Sequence, residues 1–219
     1  MTTLIVVPMK DPAQSKTRLA TVLAVGERAD LAKRLFCRTL AILRESQMTV
    51  SGELAFDLAV VTASQEIRAL ADDAGVTVIS EESGGSLGAA VGQSADWAAR
   101  HDYTRLGIIP ADLAAPDPED LRRLLARHEP VVVCPSLYAG TNALLVAPPG
   151  AIPFCYGPHS AERHLAAART LGLAACSINL DSFRLDIDTS DCLSTALATD
   201  QSLLRESRRD ESPPERAVR

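Results

Sequence analysis

Apolar and polar positions along this chain change in blocks rather than residue by residue. Short runs of consecutive, largely β-branched apolar residues recur: Leu4-Ile-Val-Val7, Leu58-Ala-Val-Val61, Val76-Thr-Val-Ile79, Leu106-Gly-Ile-Ile109 and Val131-Val-Val-Cys134. Each is short, and most lack the period-two polarity of a half-exposed strand, so they read as strands buried on both faces. Segments of helical spacing lie between them. Leu31, Leu35, Leu40 and Leu43 mark one face of a helix expected over 26–43. Ser64 is placed to cap a second helix through Ala74, and a third runs from a glycine-rich stretch to about Arg100. Asp117 caps a fourth through Arg127, with Pro118 at its first position. A fifth opens in Tyr156-Gly-Pro-His-Ser160 and runs through Leu171, and Thr189-Ser-Asp191 starts a last one to about Ala198. A polar turn leads into a strand over 140–146, and 174–178 and 183–185 read as the final strands. Alternation of this kind predicts an α/β fold with a mostly parallel sheet flanked by helices.

At 219 residues the chain is long enough for a substantial core. No domain boundary shows before residue 200, so 1–200 is expected to be a single domain. The stretch 201–219 is charged and poor in apolar residues, and is expected to be a disordered tail, most clearly from Arg205 on. The net charge of −6 argues against a general nucleic-acid binder. No apolar run approaches a membrane span. The five cysteines include no C-x-x-C pair, which speaks against zinc and for a reducing, cytoplasmic setting.

Against that acidic average, Lys10, Lys16 and Arg18 cluster just after the first strand. Ligands of open α/β sheets bind at the carboxyl ends of strands, where such a loop suits a polyanion. It holds no glycine and is not a Walker A loop, so neutralisation must come from side chains. The same spacing also describes a solvated basic turn. Ser83-Gly-Gly-Ser-Leu-Gly88 enters a helix, where backbone and helix dipole can meet an anion; a plain flexible loop is the other reading. Asp112 follows the fourth strand either as a ligand or as a turn residue. Asp186 and Asp188 alternate, so both point to one side of an extended segment. Like charges so placed repel unless a cation lies between them. Gly157 and Ser160 form an anion-compatible corner at a helix start. His159 and His164 are five apart, which does not put both on one helical face, so they read as a turn residue and a helix-face residue.

Taken together, Val7-Pro-x-Lys10 with Ser15-Lys-Thr-Arg-Leu19, Pro110-Ala-Asp112, Gly140-Thr-Asn-Ala143, Gly157-x-x-Ser160 and Leu185-Asp-Ile-Asp-Thr189 resemble the guanylyltransferases of coenzyme F-420 biosynthesis. The resemblance covers nearly the whole chain before the tail, with the motifs in the family's order. It implies a single-domain nucleotidyltransferase fold of the GT-A type, which carries GMP from GTP to the phosphate of a small three-carbon acid and releases pyrophosphate. The acid implied is phosphoenolpyruvate or 3-phospho-D-glycerate, less so 2-phospho-L-lactate. The product would pass to a downstream deazaflavin transferase.

By the same resemblance, Asp112, Asp186 and Asp188 would hold Mg²⁺. Thr141, Gly157 and Ser160 would take the acceptor acid. Lys10, Lys16, Arg18, Gly85, Leu87 and Gly88 would meet GTP, with Lys16, Arg18 and Asp112 at the reacting centre. This chain departs from the family's usual Gly-Leu-Asn at Ser86-Leu87-Gly88, and from its usual proline at Ala114. A phosphate monoester is largely a dianion at neutral pH, so no general base is required, in keeping with the lack of an obvious one here. The rival readings are a nucleotidyltransferase for molybdopterin or a sugar phosphate, and a silent nucleotide-binding regulator.

Overall fold

A computed structural model describes residues 2–82 and 85–204. The strands are β1 (Thr3–Pro8), β2 (Phe56–Thr62), β3 (Thr77–Ser80), β4 (Arg105–Ile108), β5 (Val131–Pro135), β6 (Thr141–Val146) and β7 (Ala175–Ser177). The helices are α1 (Val25–Thr49), α2 (Gln65–Asp73), α3 (Leu87–Arg100), α4 (Pro118–Leu125), α5 (Ser160–Thr170) and α6 (Ser190–Thr199). The strands form one seven-stranded sheet in the order β3-β2-β1-β4-β6-β5-β7. β6 runs antiparallel to both its neighbours, and every other pairing is parallel. The expected mostly parallel sheet is therefore present, with one reversed strand. β6 is reversed because it returns directly from β5 through the short turn over 136–140, so Thr141 begins at the edge where β1 and β4 end.

The buried runs follow from this layering. Leu4, Ile5, Val6 and Val7 of β1 are all at most 1% exposed, as a central strand covered on both faces requires. On one face Ile5, Val7, Val60 and Leu145 pack with Phe36 and Leu40 of α1, Ile67 of α2 and Leu124 of α4. On the other, Leu4, Val6, Ile108 and Val133 pack with Ala90, Val91 and Ala95 of α3 and with Ala161 and Ala168 of α5. The caps lie where the sequence puts them: Ser64 accepts from the Ile67 amide, and Asp117 Oδ1 from the Glu119 amide at 2.7 Å.

A third, smaller apolar cluster seats the strand-end loops. It joins Leu19 of the first loop, Leu31 and Leu35 of α1, Ala114 beyond β4, Ile187, Leu193 and Ala196 of α6, and Leu203. Gln201–Leu204 is a 3-10 turn with Leu203 buried. The expected tail boundary at 201 is thus corrected: these four residues are held by that leucine. Residues 205–219, the rest of the expected tail, lie outside the described residues.

A second correction concerns 183–185, expected as a strand. Asp181–Phe183 is a 3-10 turn. Only a single antiparallel bridge, Leu113 to Asp186, follows it. Phe183 is drawn into the main core at 1% exposure, which turns the chain before it can run extended. Among the described residues no helix is long and apolar enough to cross a membrane, and all five cysteines are free.

Candidate active site

Two pieces of backbone bring the three aspartates together. The Ile187 amide donates to the Asp112 carbonyl at 3.0 Å, and the Ala114 amide donates to the Leu185 carbonyl at 2.9 Å. This short antiparallel pairing zips the segment after β4 to the segment before α6. Ile187 is fully buried in the third cluster, so the residues on either side of it, Asp186 and Asp188, face away from that cluster. One carboxylate oxygen from each of Asp112, Asp186 and Asp188 lies within 4.8 Å of the others, a set that could hold a metal ion. Hard oxygen donors of this kind suit a hard divalent cation.

The cation that meets these carboxylates in the chain itself is Lys16. Its Nζ lies 2.5 Å from Asp112 Oδ2 and 3.1 Å from Asp188 Oδ1. Only 4% of its side chain is exposed. Burial alone would push this ammonium down; Asp112 and Asp188 outweigh it and hold it above the ordinary lysine range. Its backbone is left-handed, at φ 55, a strained conformation for lysine that the two ion pairs help to fix. Arg18, largely exposed, reaches Asp188 more loosely at 3.8 Å. Asp186 is not bonded to Lys16. Burial, then the charge of Asp112, push its carboxyl above the usual range, against a hydrogen bond of 3.1 Å from Asn142 Nδ2. The three carboxylates therefore lie together, with that of Asp186 raised, while Asp112 and Asp188 are compensated by an internal lysine.

Beside this cluster opens a cavity of about 530 Å³, within the range of small-molecule sites. Lys10, Lys16 and Arg18 line it together with Gly85, Leu87, Asp112 and Asp188. The three cations of the first loop and the start of α3 thus share one hollow. Of the glycine-rich stretch, Ser83 and Gly84 lie outside the described residues. Gly88 does not line the hollow. A side-chain carbon there would stand 2.6 Å from the Phe154 carbonyl oxygen, so the loop over 152–156 rests directly on the first turn of α3.

Thr141, Gly157 and Ser160 form a second corner, apart from the cavity wall. Gly157 has φ +111, open to glycine but rarely to other residues, and so turns the chain into α5. Thr141 Oγ1 and Ser160 Oγ are 2.9 Å apart. The amides of Ser160 and Ala161 are taken by the carbonyls of Gly157 and Ala139, so neither of these two donates into the corner, and its two hydroxyl groups face each other. Consecutive residues of β6 tie the two centres together: Thr141 bonds toward α5, and Asn142 toward Asp186.

Sequence reasoning gave no role to Asn142, Arg163 or His164. Arg163 stands over Gly157, where its guanidinium adds positive charge to the corner. His164 is fully buried, with Nδ1 3.1 Å from Thr141 Oγ1 and Nε2 2.9 Å from the Cys155 amide. Its place four residues after Ser160, on the same helical face, was the available signal.

Known proteins share this sequence over most of its length. The family described as "Guanylyl transferase CofC like" matches residues 3–199. A 3-phospho-D-glycerate guanylyltransferase of Colwellia psychrerythraea is 40% identical over 196 residues, covering 88% of this chain and 90% of that protein. A phosphoenolpyruvate guanylyltransferase of Conexibacter woesei is 31% identical over 198 residues, covering 88% and 86%. Among solved structures, a putative nucleotide-diphospho-sugar transferase from Desulfovibrio desulfuricans superposes with a TM-score of 0.67 at 15% identity, over 93% of this chain and 96% of that one, a likeness of fold.

Proposed function

This chain belongs to the CofC-like guanylyl transferase family, and on that premise we propose that it transfers GMP from GTP to the phosphate of 3-phospho-D-glycerate or phosphoenolpyruvate. The observation that carries this reading is the shared hollow: three basic side chains and a helix start for a triphosphate, walled on one side by Asp112 and Asp188. In the reaction a phosphate oxygen of the acid forms a bond to the α-phosphorus of GTP. The bond from that phosphorus to the bridging oxygen breaks, and pyrophosphate leaves with the electron pair. The acceptor is already a dianion, so no side chain has to remove a proton.

What the residues must do is hold two anions against each other. Lys10 and Arg18 face the hollow and screen the triphosphate. Thr141, Ser160 and Arg163 hold the acid's anionic group, and Gly157 shapes the turn that lets it approach. Asp112, Asp186 and Asp188 would hold Mg²⁺, which when bound supplies neutralisation of the phosphate charge. Positioning and electrostatics then account for the acceleration. The product, a guanosine diphosphate-linked acid, belongs to the cytoplasmic assembly of coenzyme F-420, where a deazaflavin transferase consumes it.

The test is pyrophosphate release by the purified protein with GTP or ATP, against each of 3-phospho-D-glycerate, phosphoenolpyruvate, 2-phospho-L-lactate and a hexose 1-phosphate. Turnover is expected with GTP and one of the first two acids. Equal turnover with ATP would defeat the nucleotide assignment, and turnover confined to the sugar phosphate would defeat the acceptor assignment.

A further inference from the structure

We propose that His164 is a positioning residue for the acceptor acid: it fixes Thr141 and Ser160 as a hydrogen-bond donor pair, so that the corner accepts an anion. This rests on the reading of Thr141 and Ser160 as acceptor-binding residues. A backbone amide can only donate, so the Cys155 N–H, 2.9 Å from His164 Nε2, requires that nitrogen to carry no proton. A neutral imidazole has one N–H, which is then on Nδ1, and Nδ1 faces Thr141 Oγ1 at 3.1 Å. His164 therefore donates to Thr141. Burial, then the neighbouring Arg163, push its pKa down to about 4, so the ring is neutral at ordinary pH and this single tautomer persists.

The consequence lies in counting hydroxyl protons. Thr141 and Ser160 have two between them. One is spent on their mutual bond of 2.9 Å. Because the imidazole gives a proton to Thr141 and takes none, the other stays available to point outward. With the opposite tautomer, Thr141 would donate to Nδ1 and Ser160 to Thr141. The pair would then turn lone pairs toward a ligand. A phosphate dianion has acceptors and no donor, so it binds the first arrangement and is repelled by the second. The device spans three elements: Ser160 and His164 one turn apart on α5, Thr141 on β6, and Cys155 in the loop that rests on Gly88. Ser160 and His164 are buried, at 1% and 0% exposure, while Thr141 between them is half-buried.

The experiment compares His164→Leu, which removes both bonds, with His164→Gln, whose amide can accept at one end and donate at the other. Steady-state kinetics are run with 3-phospho-D-glycerate or phosphoenolpyruvate, whichever turns over. His164→Leu is expected to raise the KM for the acid about ten-fold or more, to change the KM for GTP by less than about two-fold, and to be largely rescued by His164→Gln. Ser160→Ala and Thr141→Val are measured alongside. If these raise the acid's KM and His164→Leu does not, the positioning role is overturned while the acceptor site stands. If neither of them alters it, the acceptor reading itself fails. If His164→Leu does not fold, NMR of the imidazole nitrogens in the unmodified protein decides. A protonated Nδ1 supports the proposal, and a protonated Nε2 overturns it.

Discussion

The ammonium of Lys16 lies 2.5 Å from Asp112 and 3.1 Å from Asp188, inside the group of carboxylates best suited to a metal ion. A lysine so placed does two things in the apo protein. It removes the repulsion between converging carboxylates, and it competes for the oxygen atoms a divalent cation would use. Metal entry would then exchange one cation for another rather than fill a purely negative hollow.

That exchange gives the first prediction. Lys16→Met keeps much of the buried stem and deletes the charge. Without nucleotide, the variant is expected to bind Mg²⁺ or Mn²⁺ more tightly than the unmodified protein, and to gain more thermal stability from the metal. Turnover should fall at the same time if Lys16 also serves the triphosphate. Calorimetric titration on chelator-treated protein checks it. Unchanged or weaker metal binding would mean that the lysine does not compete for the site.

The second concerns Gly88, at the start of α3. By helix propensity alone, Ala in place of Gly stabilises by about 0.5–1 kcal/mol. Here the added carbon would meet the Phe154 carbonyl at 2.6 Å, a contact with backbone that must move. Gly88→Ala is therefore expected to destabilise by about 1–3 kcal/mol, the usual cost of overpacking. Asparagine, common here in the resembling family, would meet the same carbonyl unless the loop over 152–156 were displaced. Chemical denaturation reads the sign directly, and a stabilised Gly88→Ala would show that this loop gives way freely.

The contrast between Gly88 and the strands shows where the sequence was informative. Leu4–Val7 read as a buried strand because the run is short and β-branched, and Asp117-Pro118 followed by Glu119 and Asp120 read as a helix start. These signals are local. The alternation of Asp186 and Asp188 around Ile187 was also legible, since period two is a property of the extended chain. The Lys16–Asp112 pair joins residues 96 apart, and the Phe154–Gly88 contact likewise depends on how two loops meet. No periodicity encodes either. His164 lies on a helix as its sequence context indicates, but its partners Thr141 and Cys155 come from a strand and a loop and so could not be read from the spacing. The final strand was misplaced because Phe183 fits an extended pattern as well as it fits a turn that buries it.

The third prediction follows from His164. Its folded pKa is lowered to about 4, from 6.5. Between those values the unfolded chain binds the proton and the native chain does not, so stability falls as pH falls through that window and is fully present above 6.5. The difference amounts to about 3 kcal/mol when the window is crossed. Carboxylates also titrate near its lower end, so the informative quantity is the unmodified protein minus His164→Gln. Denaturation midpoints from pH 7 to about 4 should diverge, with the variant less sensitive to acid. Parallel curves would mean that the imidazole accepts a proton in the native state.

The sharpest test separates the aspartates by sign. Asp112 holds the buried ammonium of Lys16 at 2.5 Å. Asp112→Asn weakens that compensation and turns an amide toward the lysine. The loss of one hydrogen bond to a charged group is about 1.5–3 kcal/mol, below the full cost of an orphaned buried charge because Asp188 remains. Asp186 is different. Its carboxyl is raised by burial and by Asp112, and it does not touch the lysine. Asp186→Asn removes a penalised charge, so the metal-free protein is expected to be unchanged or more stable. Both substitutions should abolish metal-dependent turnover if all three carboxylates share one cation. Melting in the presence of chelator and activity with Mg²⁺, measured on the same preparations, decide the matter. Retained activity in Asp186→Asn would remove that residue from the metal set. Equal destabilisation of the two variants would show that Asp186, too, is compensated in the apo fold.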